Sequence, residues 1–261
     1  MNRIGREFMD KTRYAHLEPS AQSRGLPQPP LERDLSSGKG LIELPEARSL
    51  NLERVDLREL LERRRSLRRY AEVALEREEL SFLLWSTQGV KKLIPGTATF
   101  RTVPSAGARH ALETYLLINR VEGFNRGLYW YSALRHALLP LDVGGTTADA
   151  RHGSGHSRDA KDASAEAMVA ACLGQEFVKT SAVTFVWAAE VQRMTWRYGQ
   201  RGYRYLHLDA GHVCQSLYLA AEAIGCGACA IAAFSDEAMN ALLNLDGEDR
   251  FAIYVAAVGK R

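Results

Sequence analysis

GYRYLHLDAGHVCQSLYLAAEAIGCGACAIAAF, running from Gly202 to Phe234, is the stretch around which the rest of the chain is arranged. Leu206, Ala210, Val213, Leu217, Ala220 and Ile224 recur at alternating steps of four and three, which places all six on one helical face. Such a face is buried. Cys214, Tyr218 and Ala221 widen it while Glu222 lies off the main stripe, so apolar neighbours are expected on more than one side. Gly225 stops the helix, because the left-handed position just past a helix end is free of Cβ strain only for glycine. From Cys226 to Phe234 the chain carries almost no side-chain bulk or charge. That segment reads as a floor on which a flat ring or a second subunit can lie directly against backbone.

Outward from this core, Ala182 to Ala189 reads as a buried strand and Ala163 to Phe177 as a helix. Residues 143 to 162 are rich in Gly, Ser, Asp and His without apolar periodicity, and predict a mobile surface loop. Gly127 to Tyr131 and Ala137 to Leu141 predict a hairpin, and Glu113 to Asn119 a strand fed by the small-residue turn Val103 to His110. Glu76 to Gln88 predicts an amphipathic helix ended by Gly89, followed by a loop through Pro95-Gly96 to Thr102. Val55 to Tyr70 begins with a leucine pattern and continues into Arg63, Arg64, Arg65, Arg68 and Arg69 around Ser66. Toward the C-terminus, Ser235 caps a short helix to Leu243, and Phe251 to Val258 is a last strand before Gly259-Lys260-Arg261. Residues 1–52 form an arm or linker of turn chemistry, and residues 53–261 one domain.

Hydrophobic residues make up 46% of the 261 and charged residues 25%, the composition of a soluble globular chain. A net charge of +3 is too small to imply a nucleic-acid partner, and no apolar run reaches the roughly eighteen residues of a membrane span. The N-terminal residues lack the apolar core of a signal peptide, so a cytoplasmic location and no membrane partner are expected. Four cysteines build no disulfide framework, and Cys226-x-x-Cys229 lacks two further ligands at metal-site spacing, so no metal is expected. His207 and His212 are five apart and share no helical face, and His152 and His156 stand in surroundings that hold no helix. Neither dinucleotide-fold nor P-loop glycine motifs occur. The arginine cluster is either a solvated face or the seat of an anion such as phosphate, which would relieve its self-repulsion through bidentate contacts.

The order Arg64-Arg-Ser66-x-Arg68, Pro104-Ser-Ala-Gly107, the long helix with its small-residue exit, and a terminal Gly-Lys-Arg resembles the nitroreductase-like FMN flavoproteins. RTVPSAGARHALETYLLINRVEG, GLYWYSALRHALLPL, CLGQEFV, YLHLDAGHVCQSLYLAAEAIG and LDGEDRFAIYVAAVGKR are similar to the SagB-type dehydrogenases, the branch that includes peptide azoline oxidases. The likeness covers about residues 53 to 261. It implies an α+β nitroreductase-like fold, with a mixed central sheet flanked by helices, in an intertwined homodimer holding FMN at its interface. Under it, Arg64, Arg65, Ser66 and Arg68 hold the FMN phosphate and pyrimidine edge, and Pro104, Ser105, Ala106 and Gly107 approach the flavin from the partner chain. Ile231, Ala232 and Ala233 match the segment whose backbone N–H points at flavin N5, with Ala233 where the family usually has Gly. Lys260 and Arg261 match a basic position near the phosphate. The azoline oxidases carry Lys-Tyr in a segment similar to Thr195 to Gly199; this sequence has Arg197-Tyr198.

These readings lead to an FMN-dependent oxidoreductase passing hydride through flavin N5, with Arg197 and Tyr198 either as the catalytic pair, Tyr198 being the proton carrier, or as ordinary polar residues ahead of the long helix. The substrate is a small molecule or a modified peptide, with NAD(P)H as a possible co-substrate. Rival readings are a flavin- or peptide-binding scaffold without turnover, and an NAD(P)H-dependent nitro or quinone reductase. Leu217 and Tyr218 are the expected centre of the homodimer interface.

Overall fold

In the computed structural model, residues 3–33, 40–142 and 158–261 are described. Their helices are α1 (Ile4–Lys11), α2 (Leu57–Arg63), α3 (Arg77–Gln88), α4 (Arg158–Ala171), α5 (Phe177–Thr180), α6 (Val191–Tyr198), α7 (Gly202–Ala223) and α8 (Asp236–Leu242). The strands are β1 (Ile42–Glu43), β2 (Val90–Ile94), β3 (Ala98–Arg101), β4 (Leu112–Ile118), β5 (Gly127–Ser132), β6 (Ala137–Leu141), β7 (Val183–Glu190), β8 (Cys226–Ile231) and β9 (Arg250–Lys260). Seven of them form one sheet in the order β1-β6-β5-β4-β7-β9-β8, with β2 and β3 as a separate hairpin.

Both faces of the sheet are covered, which is why β4 and β7 are buried at nearly every position rather than at every second one. Leu112, Leu116 and Ile118 point into one core with Leu80, Leu83 and Leu84 of α3, Met194 of α6 and the α7 stripe. Tyr115 and Leu117 point into the other, with Met168 and Val169 of α4 and Met239 and Leu242 of α8. The α7 stripe is buried as its periodicity predicts, and Gly225 beyond it takes φ +69°.

Several expectations are corrected. Every ladder of the sheet is antiparallel, so the parallel part of the expected mixed sheet reduces to the isolated bridges Ser66–Ala228 and Leu75–Val121. The loop expected after Gly89 is the β2–β3 hairpin; Thr97 N–H donates to the Ile94 carbonyl at 3.0 Å, and Pro95-Gly96, with Gly96 at φ +65°, forms the turn between the strands. The helix expected from Ala163 starts earlier, at Arg158, and ends at Ala171, where Leu173 and Gly174 turn the chain with positive φ. Residues 143–157 of the predicted mobile loop, with His152 and His156, lie outside the described residues. Leu217 and Tyr218 are 0% and 9% exposed inside their own chain, so they are core rather than the centre of an interface. No helix among the described residues is long and apolar enough to cross a membrane.

The arm packs onto its own chain. Gln22 N–H donates to the Trp196 carbonyl at 2.8 Å, Trp196 Nε1–H to the Leu26 carbonyl at 2.9 Å, and Arg193 Nε–H to the Pro30 carbonyl at 2.8 Å. Buried Glu32 accepts from Ser132 Oγ and Ala133 N at 2.6 Å and from Leu134 N at 3.1 Å, which caps the turn between β5 and β6. A carboxylate buried with three donors is costly to remove, because the donors are orphaned. Glu32→Ala is therefore expected to destabilise the chain by about 3 kcal/mol. Urea denaturation should show a lower midpoint at unchanged slope; an unmoved midpoint would mean that the arm is not pinned there.

Candidate functional site

Two groups of the expected site residues gather at opposite ends of α7. The first is a strap, residues 64–70, laid along the free edge of β8. Asp56 caps α2 by accepting from Arg58 N at 2.7 Å, and the helix stops at Arg63, so Arg64 onward is extended rather than a continuation of one arginine-rich helix. Ser66 pairs with Ala228, Leu67 N–H donates to the Ala228 carbonyl at 2.9 Å, and Ala71 N–H to the Lys260 carbonyl at 3.0 Å. Tyr70 OH donates to the Leu67 carbonyl at 2.6 Å and also reaches the Ala257 carbonyl at 3.1 Å. Gly227 and Gly259 are paired in register, and the strap rides on them: an added Cβ would come within 2.5 Å of Leu67 and 2.8 Å of Tyr70. Much of the small-residue floor is thus occupied by the chain itself. Only its exit, Ala232 and Ala233, is exposed.

Tyr218 joins the strap to β8. Its hydroxyl accepts from Ala230 N–H at 2.8 Å and lies 2.9 Å from Ser66 Oγ. The amide occupies one lone pair of the phenol oxygen, and in the Tyr218–Ser66 contact either hydroxyl can be the donor. Arg64 stacks over the Tyr218 ring at 5.3 Å and Arg68 over Phe177 at 6.0 Å. Among the described residues neither they nor Arg65 has a carboxylate partner. Strand parity sends the Ala228 carbonyl and Ala230 N–H to this edge, where Leu67 N–H and Tyr218 Oη take them.

Lys260 and Arg261 are placed differently from the arginines. Lys260 Nζ is paired with Glu79, and Arg261 with Glu222, which also lies 3.3 Å from Arg63 Nε. Both carboxylates are buried, so these cations already have partners, and Glu222 is buried despite lying off the apolar stripe.

The second group is the loop Val103 to His110. Ser105 Oγ donates to Asp209 Oδ2 at 2.5 Å and Ala106 N–H to Asp209 Oδ1 at 3.3 Å, while His110 N–H donates to Ser105 Oγ at 2.9 Å. Burial raises the Asp209 carboxyl above its usual range. Gly107, Ala108 and His110 all take positive φ, which glycine adopts freely but which strains Ala108 and His110, so the surroundings must fix them. Arg197 and Tyr198 end α6 and press on Gly107: an added Cβ would lie 2.5 Å from Tyr198 Oη and 2.9 Å from Arg197 Nε. Tyr198 meets Tyr205 edge to face at 4.8 Å. The structure thus unites Pro104 to Gly107 with Arg197 and Tyr198.

Asp209 and Tyr218 are nine residues apart on α7, about 13 Å along the axis and two and a half turns round. They face opposite ways, so the two groups diverge within one chain. Asp209, Arg109, Trp196 and the linking role of Tyr218 escaped the sequence reading. A buried Asp in an apolar helical stripe was the visible signal for the first; the others carry none. Among the described residues no metal-binding cluster occurs, and the four cysteines are buried and unpaired.

Residues 61–260 match the model of the nitroreductase family. A protein of Methanocaldococcus jannaschii named as a nitroreductase is 31% identical over 84% of this chain and 96% of its own length. The trifolitoxin-processing protein TfxB of Rhizobium leguminosarum bv. trifolii is 26% identical over 56% of this chain, which spans only 36% of that relative. Among solved structures, the Escherichia coli microcin synthetase McbBCD complex with truncated pro-MccB17 bound contains a similar fold, with a TM-score of 0.58 and 20% identity over 98% of this chain and 86% of that one.

The strained loop carries a pH signature. Burial, followed by the Arg101 charge, pushes the His110 imidazole down to about 3, whereas an unfolded histidine titrates near 6.5. Between those values the unfolded chain binds a proton that the folded chain does not, so stability is full above about pH 6.5 and falls as pH drops toward 3. Chemical denaturation across this range should show an acid limb that is shallower in His110→Asn by up to about 1.4 kcal/mol per pH unit. Identical limbs would show that His110 is not held neutral.

Proposed function

This chain belongs to the nitroreductase family, and from that premise we propose that it is an FMN-dependent oxidoreductase of the SagB type, working as a homodimer on a modified peptide or another small organic substrate. The observation that carries the reading is the strap: Arg64, Arg65 and Arg68 have no carboxylate partner among the described residues, and they flank the Ser66 hydroxyl beside the outer edge of β8. That set fits a phosphomonoester. Arg64, Arg65, Ser66 and Arg68 would hold the FMN phosphate and pyrimidine edge, and the Ile231 to Ala233 exit would offer the Ala232 amide to the ring. Lys260 and Arg261, paired with Glu79 and Glu222, would support the strap rather than contact phosphate.

The divergence of the two groups about α7 favours a second copy. One chain cannot close Pro104 to Gly107 over a ligand held by its own strap, whereas a partner's loop can meet it. Exposed apolar residues support the same assembly: Leu208 on α7 is 58% exposed, Leu57 and Leu61 on α2 are 60% and 50% exposed, and Gly211 on α7 has open space beside it. The peptide substrate is supported by what the relatives' names say of them, trifolitoxin processing and a complex with pro-MccB17.

When bound, the flavin supplies hydride acceptance and return at N5. This chain's residues would bind and orient it and hold a proton at Tyr198 Oη, with NAD(P)H as a proposed co-substrate. Purified protein should show flavin absorbance and sediment as a dimer. Arg64→Ala is expected to weaken FMN retention about tenfold to a hundredfold; wild-type retention after dialysis would remove the phosphate assignment. Tyr198→Phe should keep flavin and dimer but lower turnover by about a hundredfold where chemistry is rate-limiting, as for a lost proton carrier. Unchanged turnover there would reduce Tyr198 to packing.

A further inference from the structure

A cleft of about 850 Å³ opens between the β2–β3 hairpin and the strained loop, and its lining includes Lys91, Ile94, Phe100, Gly107, Arg109 and Arg197. Its charge is one-sided. No Asp or Glu lines it. Arg109 is only 6% exposed, yet its guanidinium meets carbonyls alone, donating to Gly107 O at 3.0 Å and Thr97 O at 3.1 Å while stacked over Trp196 at 5.4 Å. A guanidinium so enclosed without a carboxylate keeps an uncompensated charge in a poorly solvated place. Burial, and then the neighbouring Arg197 charge, draws its pKa below the usual arginine value, and Arg197 lines the same cleft. Arg101 also reaches the cleft, but its head is turned to Gln88 Oε1 at 2.9 Å and Thr99 Oγ1 at 3.2 Å. On the other wall Ile94 and Phe100 are 37% and 46% exposed, an apolar surface beside the cations.

We infer that this cleft is an anion subsite: it binds the carboxylate or phosphate of an organic molecule between Arg197, Arg109 and Lys91, with that molecule's ring or apolar body on Ile94 and Phe100. Its place beside the flavin rests on the function proposed above, because it shares the Pro104 to Gly107 loop. The ligand is then the molecule that exchanges electrons with the ring. Two sources share this chemistry, the carboxylate of a peptide-derived substrate and the phosphate of a nicotinamide nucleotide.

Calorimetric titration of the flavin-loaded protein with benzoate, phenyl phosphate and neutral benzamide tests this. At least one anion should bind about tenfold or more tightly than benzamide. Arg197→Gln should weaken that anion by about tenfold to a hundredfold, Lys91→Gln by less, and Arg197→Lys should recover part of the loss. The tighter anion identifies the source, carboxylate for benzoate and phosphate for phenyl phosphate. Equal binding of the anions and benzamide, or anion binding unchanged in both Arg197→Gln and Lys91→Gln, overturns the subsite. Visible absorbance of the same samples reads the flavin separately. A colourless protein that still prefers the anion overturns the flavin reading alone, and a yellow protein indifferent to charge overturns the subsite alone.

Discussion

A polar side chain buried in an apolar helix must find a partner, and in α7 three of them find it in the segments that make up the candidate site. Asp209 takes Ser105 and the Ala106 amide; Tyr218 takes Ser66 and the Ala230 amide; Glu222 takes Arg63 and Arg261. Each bond ties a loop, a strap or a chain end to α7, the longest helix among the described residues. Removing one partner would cost more than the bond's net worth, because the other is left unsatisfied in a dry place. The same bonds that stabilise the fold therefore fix the position of the site.

Helical spacing turns these three anchors into a geometry. Tyr218 and Glu222 are four apart and share a face, so the strap and the basic C-terminal residues are neighbours. Asp209 lies half a turn away, so the loop it holds faces elsewhere. α7 thus serves two directions at once, and its stripe is buried on more than one side because both directions are packed.

The sequence made legible whatever depends on periodicity and turn chemistry: α7 and its end at Gly225, the capped α8, the β5–β6 hairpin and both buried central strands. It missed elements whose determinants are not periodic. Pro95-Gly96 predicts a loop because a turn residue pair marks loops and hairpins alike, and only the pairing of Val90–Ile94 with Ala98–Arg101 distinguishes them. The small residues of β8 look the same whether they face a ligand or another piece of chain; that Leu67 and Tyr70 fill Gly227 and Gly259 is a long-range fact. Arg197 and Tyr198 were found by resemblance, yet their contact with Gly107 depends on packing between elements far apart in sequence.

Charge explains why a chain of nearly balanced composition can bind anions. The net charge of +3 conceals a local sorting. Buried Glu79 and Glu222 neutralise Lys260, Arg63 and Arg261, and buried Glu113 takes Arg193 at 2.6 Å. These carboxylates are spent on cations that hold the frame. Among the described residues, Arg64, Arg65 and Arg68 on the strap, and Arg109 and Arg197 in the cleft, receive none. In bulk water such omissions would mean little, since exposed pairs contribute at most about 1 kcal/mol. Around Arg109, which is 6% exposed and meets only the Gly107 and Thr97 carbonyls, such an omission has more weight. The frame and the sites thus use the same residue type in opposite ways, and the position of the buried carboxylates decides which arginine does which.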